Sequence, residues 1–317
     1  MKRRLGVTIK LGYLLPTREH IMKGNSSAQS LLNGAKAAAN FGFDSIWIGD
    51  SLLARPRHEP LTLLAAVATV VPKVEVGTAV LLPVLRNPIV LAHQLATLDQ
   101  ISEGRLIVGV GIAGDAPSVR SEFMSAGVPW EKRVGRLIES LRLCRALWTG
   151  EEVDWDGLWQ VEKGVLAPLP YREGGPPFWM ASGVAKGIAR AARHCEGWFP
   201  IGPDAQTYRE QRDLFIEQAA SFGKTKDDVA SALYLTIAIN DDSEKADEAI
   251  NDYLSNYYNI PGKSIRRVQA CCGGSLEQVV RFIQDFVDAG AEHIVLRLVG
   301  DHVKTMQTLA KARDGIA

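Results

Sequence analysis

Apolar and polar positions along this chain follow two periods that repeatedly change places. Residues 5–13, 44–49, 74–82 and 105–111 are short runs rich in apolar, often β-branched residues, bounded by glycine or proline. They predict strands. Between them the apolar spacing becomes three and four. One such helix covers 30–40 and is punctuated by Gly42. A second opens at Glu59-Pro60, and a third opens at Asn87-Pro88 and closes at Gly104. Proline suits a first helical turn, where its missing N–H would have had no partner. A fourth helix covers 131–149, with Val134, Leu137, Ile138, Leu141, Cys144 and Trp148 as its apolar stripe.

The second half repeats the alternation. Strands are predicted at 177–182, 197–202, 232–239 and 293–299, with helices near 184–194, 205–222, 276–289 and 302–314. Eight strands alternating with eight helices fit a (β/α)8 TIM barrel better than a doubly wound sheet, and the 317 residues exceed a barrel of ~250 by the length of its insertions. The reading is one barrel domain over 1–317, with insertions after strand four and before helix seven. The first insertion contains a hairpin at 153–164 around Asp156-Gly157, and the second spans about 240–272.

The stretch "RLIVGVGIAGD" at 105–115 carries Gly109, Gly111 and Gly114 in the spacing G-x-G-x-x-G. That spacing binds dinucleotides when it links a first strand to a tight helix and an acidic residue follows about 20 positions on. Here it follows the fourth strand, Pro117 predicts a loop, and no acidic residue is well placed. Glycines at the end of a barrel strand instead let a ligand approach the backbone.

Composition narrows the function. Formal net charge is zero, with 46% hydrophobic and 23% charged residues. On bulk charge that disfavours nucleic acid or an anionic membrane as the main partner, though a neutral protein can carry a local basic patch. The start "MKRRLGVTIKLGYLLP" has a basic end and an apolar run, but Lys10 interrupts it and no small-residue cleavage site follows, so it reads as a strand. No run approaches the ~20 apolar residues of a membrane helix. Four cysteines without a CxxC pair suggest buried thiols in a reducing, cytoplasmic setting, and the six histidines show no metal-ligand spacing.

In a barrel the chemistry belongs to the C-terminal strand ends. Those ends carry Tyr13, Asp50-Ser51, Ala79-Val80, Gly111-Ile112-Ala113 and Ser182-Gly183. Small and apolar residues dominate, which suits a flat aromatic ligand and not a metallohydrolase. Ser182-Gly183 opens an alanine-rich helix, either as an ordinary cap or as an anion site at a positive helix end. Arg55, Arg57 and His58 form either a solvated, locally ion-paired loop or a cover over the substrate or cofactor tail. Arg133, Arg136 and Glu139 read as a solvated or ion-paired helical face.

Three stretches carry a family resemblance: "GFDSIWIGDS" (42–51), "VGTAVLLPVLRNPIVLAHQLATLDQISEGRLIVGVG" (76–111) and "PPFWMASGVAKGIARAARHCEGWF" (176–199). In order and spacing they resemble the bacterial-luciferase-like flavin monooxygenases and their deazaflavin-dependent relatives. The resemblance implies a (β/α)8 barrel with a reduced flavin at its C-terminal strand ends. It places a non-prolyl cis peptide between Ala79 and Val80, behind one face of the ring. It puts the cofactor phosphate at Ser182, Gly183 and Val184, and the far side of the pocket at Ile112 to Asp115. Family members often have a histidine after the acidic residue ending strand two. Here the pair is Asp50-Ser51, and serine cannot donate a proton near neutrality as imidazole does. Asp50, Ser51 and, as a substitute donor, His58 are therefore the catalytic candidates.

The reading put first is a monooxygenase using reduced FMN, supplied by a separate flavin reductase, and oxygen to oxygenate a small organic substrate. The alternative is hydride transfer with the deazaflavin coenzyme F-420, for whose acidic tail Arg55, Arg57 and Arg120 could supply a basic groove. A non-catalytic flavin-binding protein is a third reading. Members of the family often dimerise through barrel helices, so a homodimer is expected.

Overall fold

The structure is a computed structural model that describes residues 9–313. In chain order its regular elements are β1 (Lys10–Leu14), α1 (Thr17–Met22), α2 (Ala28–Asn40), β2 (Ser45–Ile48), α3 (Pro60–Val70), β3 (Glu75–Leu81), α4 (Pro88–Ile101), β4 (Leu106–Val110), α5 (Pro117–Ser125) and α6 (Arg133–Leu147). The hairpin β5 (Val153–Asp156) and β6 (Gln160–Gly164) follows. Then come β7 (Phe178–Met180), α7 (Ala185–His194), β8 (Gly197–Trp198), α8 (Ala205–Ser221) and β9 (Ala230–Ile239). The last elements are α9 (Ser243–Tyr258), α10 (Gly262–Ile265), β10 (Cys271–Gly274), α11 (Leu276–Asp288), β11 (His293–Leu298) and α12 (His302–Ala312).

The strand order β10-β9-β11-β1-β2-β3-β4-β7-β8, with β8 also pairing β9, makes a closed parallel barrel of eight strands. β10 is a ninth strand added beside β9. This is the (β/α)8 TIM barrel.

The chain divides into two compact units: Met1–Leu15, Asn33–Trp47 and Trp179–Ala317 in one, Pro16–Leu32 and Ile48–Phe178 in the other. In the first, β9, β11, β1 and β2 run parallel in register, for example Val295 beside Tyr234 and Gly12 beside Ser45. A side chain at Gly12 would collide with Trp47 and Ser45. Trp47, Trp179, Phe199 and His293 pack together with ring centroids 5.2–6.1 Å apart. In the second unit α3 and α4 start as the sequence predicts. Glu59 accepts from the Thr62 N–H, Asn87 from the Ile89 and Val90 N–H groups, and each cap precedes a proline.

Several boundaries differ from expectation. Residues 1–8 and 314–317 lie outside the described residues, and with them the first four residues of the strand expected at 5–13 and the last residue of the expected final helix. β8 is only two residues long, and Pro200 just beyond it has no N–H to give to a ladder. The loop expected after Pro117 is instead α5, with proline at its first position and Val119, Glu122 and Phe123 buried. β10 carries Gly273-Gly274, which offer no apolar periodicity to read. The segment 240–272, expected as an insertion, holds α9 and α10. On α6, Arg133 and Arg136 stack over Trp130 and Trp159 at 3.8 and 5.3 Å, while Glu139 accepts from the Leu158 N–H at 2.6 Å.

Candidate functional site

The second unit places the ends of β2, β3 and β4 together with the loops that follow them. Asp50 follows β2 and is only 1% exposed at its side chain. Its carboxylate accepts from the Leu82 N–H at 2.9 Å and from both terminal nitrogens of Arg86 at 2.6 and 3.2 Å. Arg86 also donates to Glu59 at 3.0 Å. Burial would raise the Glu59 carboxyl, but the bonds from Thr62 and Arg86 outweigh it and hold the group below its ordinary range. Asp50 therefore ties the end of β2 to the segment after β3.

Ser51 belongs to a second knot. Its hydroxyl donates to Glu122 at 2.8 Å, and the same carboxylate oxygen accepts from the Leu53 and Ala54 N–H groups at 2.7 and 3.1 Å. The Arg55 N–H donates back to the Ser51 oxygen at 2.9 Å. Glu122 is 2% exposed. Ser51, at the position where relatives often have histidine, thus shapes its own loop. His58 lies against the Ser26 carbonyl at 3.0 Å through Nε2. A carbonyl only accepts, so Nε2 carries a proton. Its Nδ1 is buried with no hydrogen-bond partner among the described residues. Arg57 donates to the Arg55 carbonyl at 3.1 Å, and its guanidinium lies where a side chain at Gly49 would stand. Arg120 is held on the surface by Asp115 through two bonds of 2.6 Å.

The Ala79–Val80 peptide is cis and non-prolyl. The register against β4 shifts here, so that Thr78 pairs with Val108 but Leu81 with Val110. Val76 to Thr78 and Leu81 are buried, while Ala79 and Val80 remain half-buried. After β4, Gly111 donates its N–H to the Leu81 carbonyl, Ala113 is left-handed at φ 61°, and Ile112 and Ala113 are half-buried. These strand ends offer small, partly open apolar surface.

In the first unit the turn from β7 to α7 keeps an open helix start. The N-cap is Val184, not Ser182 or Gly183, and no side chain caps α7. Ser182 accepts from the Val184 N–H at 3.3 Å, and its carbonyl accepts from the Trp198 indole at 2.7 Å. The Gly183 carbonyl accepts from Gln211 at 3.0 Å. First-turn N–H groups with no side-chain cap suit an anion. Tyr13 departs from expectation. It is 1% exposed, lies edge-on to Phe43 and shares a hydrogen bond of 2.7 Å with His302 Nδ1. Its ring fills the space between strand and helices and offers no face to a ligand.

Sequence reading missed Arg86, Glu122, His293 and Arg297. Glu122 was hidden because α5 was read as loop, although Val119, Glu122 and Phe123 keep helical spacing. His293 sits inside the first unit, its Nε2 2.6 Å from the Ser45 hydroxyl, which also accepts from Trp47. Burial, with the charge of Lys10, pushes the imidazole down to about 3, so it is neutral. Among the described residues no group of three or more His, Cys, Asp or Glu could hold a metal ion, and no helix is long and apolar enough to cross a membrane.

Comparison with known proteins bears on this arrangement. Residues 9–293 match the family described as luciferase-like monooxygenase. An F420-dependent glucose-6-phosphate dehydrogenase of Mycolicibacterium gilvum is 28% identical, covering 92% of this chain and 93% of its own. Its namesake from Amycolatopsis mediterranei is 31% identical over 69% of this chain and 67% of its own. Among solved structures, an F420-dependent secondary alcohol dehydrogenase in complex with an F420-acetone adduct shares the fold, with TM-score 0.83 and 20% identity over 98% of this chain and 99% of that one. The monooxygenase RslO1 from Streptomyces bottropensis does so too, with TM-score 0.79 and 22% identity over 96% of this chain and 98% of that one.

Proposed function

This chain belongs to the luciferase-like monooxygenase family of oxidoreductases, and we propose that within it the protein is a deazaflavin-dependent dehydrogenase, moving a hydride between coenzyme F-420 and a small organic substrate. The observation that carries this reading is the near full-length match to F420-dependent dehydrogenases. The sequence reading put reduced FMN and oxygen first. Curated relatives named for F420 favour the alternative.

The residues fit such a group. The half-buried Ala79 and Val80, with the bulge at the cis peptide, would back a flat ring, and Ile112 and Ala113 would meet it from the next strand. The uncapped start of α7, at Ser182, Gly183 and Val184, would receive the coenzyme phosphate on backbone N–H groups. Arg55 and Arg57, on the loop after β2, would stand near the acidic tail. Arg120 is already matched by Asp115 and would contribute less. When bound, the deazaflavin supplies a hydride donor or acceptor carbon, and the protein orients it.

Asp50 and Ser51 would hold the loop and not move protons, because their hydrogen bonds are taken by Arg86, Leu82, Glu122 and Arg55. His58 would be the proton-transfer candidate, with Nε2 anchored and Nδ1 uncommitted among the described residues. The test is titration of the apo-protein with F-420 and, separately, with FMN, followed by fluorescence. The expected result is tight F-420 binding, weak FMN binding, and bound reduced F-420 that persists in air. Tight FMN binding with rapid reoxidation in air would sink the proposal and restore the monooxygenase reading.

A further inference from the structure

Arg297 lies on β11 beside Thr236 of β9, is 5% exposed, and meets no carboxylate partner among the described residues. Four tyrosines enclose it, with ring centroids 4.5 Å (Tyr257), 4.8 Å (Tyr234) and 5.7 Å (Tyr253 and Tyr258) from the guanidinium carbon. One terminal nitrogen donates to the Tyr258 hydroxyl at 3.2 Å. The other, and Nε, are buried without an acceptor. Ring faces attract the charge but do not replace lone pairs in the guanidinium plane.

Among the described residues, neighbouring groups supply no counter-charge. Asp247 is matched by Arg266 at 2.6 Å. The Cys271 thiol is buried, which pushes it up to about 11 despite the pull of Arg297 and Arg266, so it stays neutral. What surrounds the cation is a neutral polar ring. The Tyr258 hydroxyl lies 3.5 Å from the Gln269 side-chain oxygen, and the Gln269 amide donates to Thr236 at 2.8 Å. A buried guanidinium with unmatched N–H groups is costly unless an anion joins it. It stands near the C-terminal end of a barrel strand, where barrels do their chemistry.

We propose that Arg297 is the recognition group for a small oxyanion, a carboxylate or phosphate ester, carried by the substrate. Tyr258 and Gln269 complete the cradle. Tyr253, Tyr257 and Tyr258, from the last two turns of α9, cover the oxyanion once it is seated. The helix that carries them ends at Asn259 in a left-handed conformation (φ 56°), a common way for a helix to stop. The word substrate rests on the dehydrogenase reading; the anion site does not.

The test uses protein saturated with F-420, which occupies the α7 start, titrated with inorganic phosphate and with acetate at matched ionic strength by calorimetry. Saturable binding of at least one is expected, weakened about tenfold or more in Arg297→Gln, the scale of one charged hydrogen bond, with F-420 affinity unchanged. The tighter anion names the ester or acid class. Gln269→Glu, which builds a carboxylate into the cradle, should weaken binding similarly while keeping the arginine, and it decides the matter if Arg297→Gln does not fold. No saturable binding, or equal binding by both variants and the parent, overturns the proposal. If F-420 itself fails to bind, the dehydrogenase reading falls, while the same titrations on coenzyme-free protein still decide the anion site.

Discussion

The segment after β3 and the end of β11 each enclose an arginine, and they treat it in opposite ways. Arg86 meets Asp50 and Glu59, with the Leu82 N–H sharing the Asp50 carboxylate. Arg297 meets four tyrosines and, among the described residues, no carboxylate. A buried charge that is fully matched has finished its work when the chain folds, because its lone pairs and protons are all spent. A buried charge left partly unmatched keeps interaction energy in reserve for something else. The comparison teaches that charged residues at a barrel's strand ends divide into scaffold and site by compensation, not by position.

The largest effect that tests this contrast is at Arg86. Replacing it with alanine leaves Asp50 buried and unpaired, and should cost about 3–5 kcal/mol, measured as a lower urea midpoint at unchanged slope. A smaller loss would mean that the ion pair is not what holds β2 to the segment after β3. Glu122→Gln comes next. It keeps the shape but exchanges a carboxylate that accepts three hydrogen bonds for a neutral amide, and should cost about 1–3 kcal/mol, with weakened F-420 binding because the loop at 51–55 loosens. Unchanged coenzyme affinity would separate that loop from the cofactor.

His293 extends the comparison to a buried base kept neutral. Its folded value is depressed to about 3 from an ordinary 6.5. The unfolded chain therefore takes up a proton that the folded one refuses. The resulting stability is full above pH 6.5 and is lost as the pH falls toward 3, by up to about 1.4 kcal/mol per unit. Thermal unfolding across that window should show a shallower acid limb in His293→Gln. The smallest effect is expected at Arg297. Arg297→Met keeps the packing against the tyrosines and removes an unmatched charge, so stability should change by less than about 1 kcal/mol. A loss as large as that at Arg86 would erase the distinction between the two arginines.

Much of the barrel was legible in the sequence because its signals are local. Glu59-Pro60 and Asn87-Pro88 announce helix starts through capping and missing donors, and apolar runs between glycines announce strands. The cis Ala79–Val80 bond was placed by resemblance and stands where expected. α5 and β10 were missed, the first because Pro117 was read as a breaker and not as a first-turn residue, the second because its glycines have no side-chain period. Of the residues proposed for the cofactor, Ala79, Val80, Ile112 and Ala113 are half-buried, whereas Tyr13 is consumed by packing and Val184 takes the cap assigned to Ser182 or Gly183.

The sequence by itself determined the alternation of barrel strands and helices, the hairpin at 153–164 and the small apolar strand ends. These depend on the backbone preferences and hydrophobic spacing of residues near one another in the chain. Only the tertiary structure decided that Asp50 is spent on Arg86 36 residues away, that Ser51 answers to Glu122 71 residues away, and that Arg297 is enclosed by tyrosines from β9 and α9. Whether a charge is matched depends on what lies within about 4 Å of it in space, and separation along the chain carries no information about that distance.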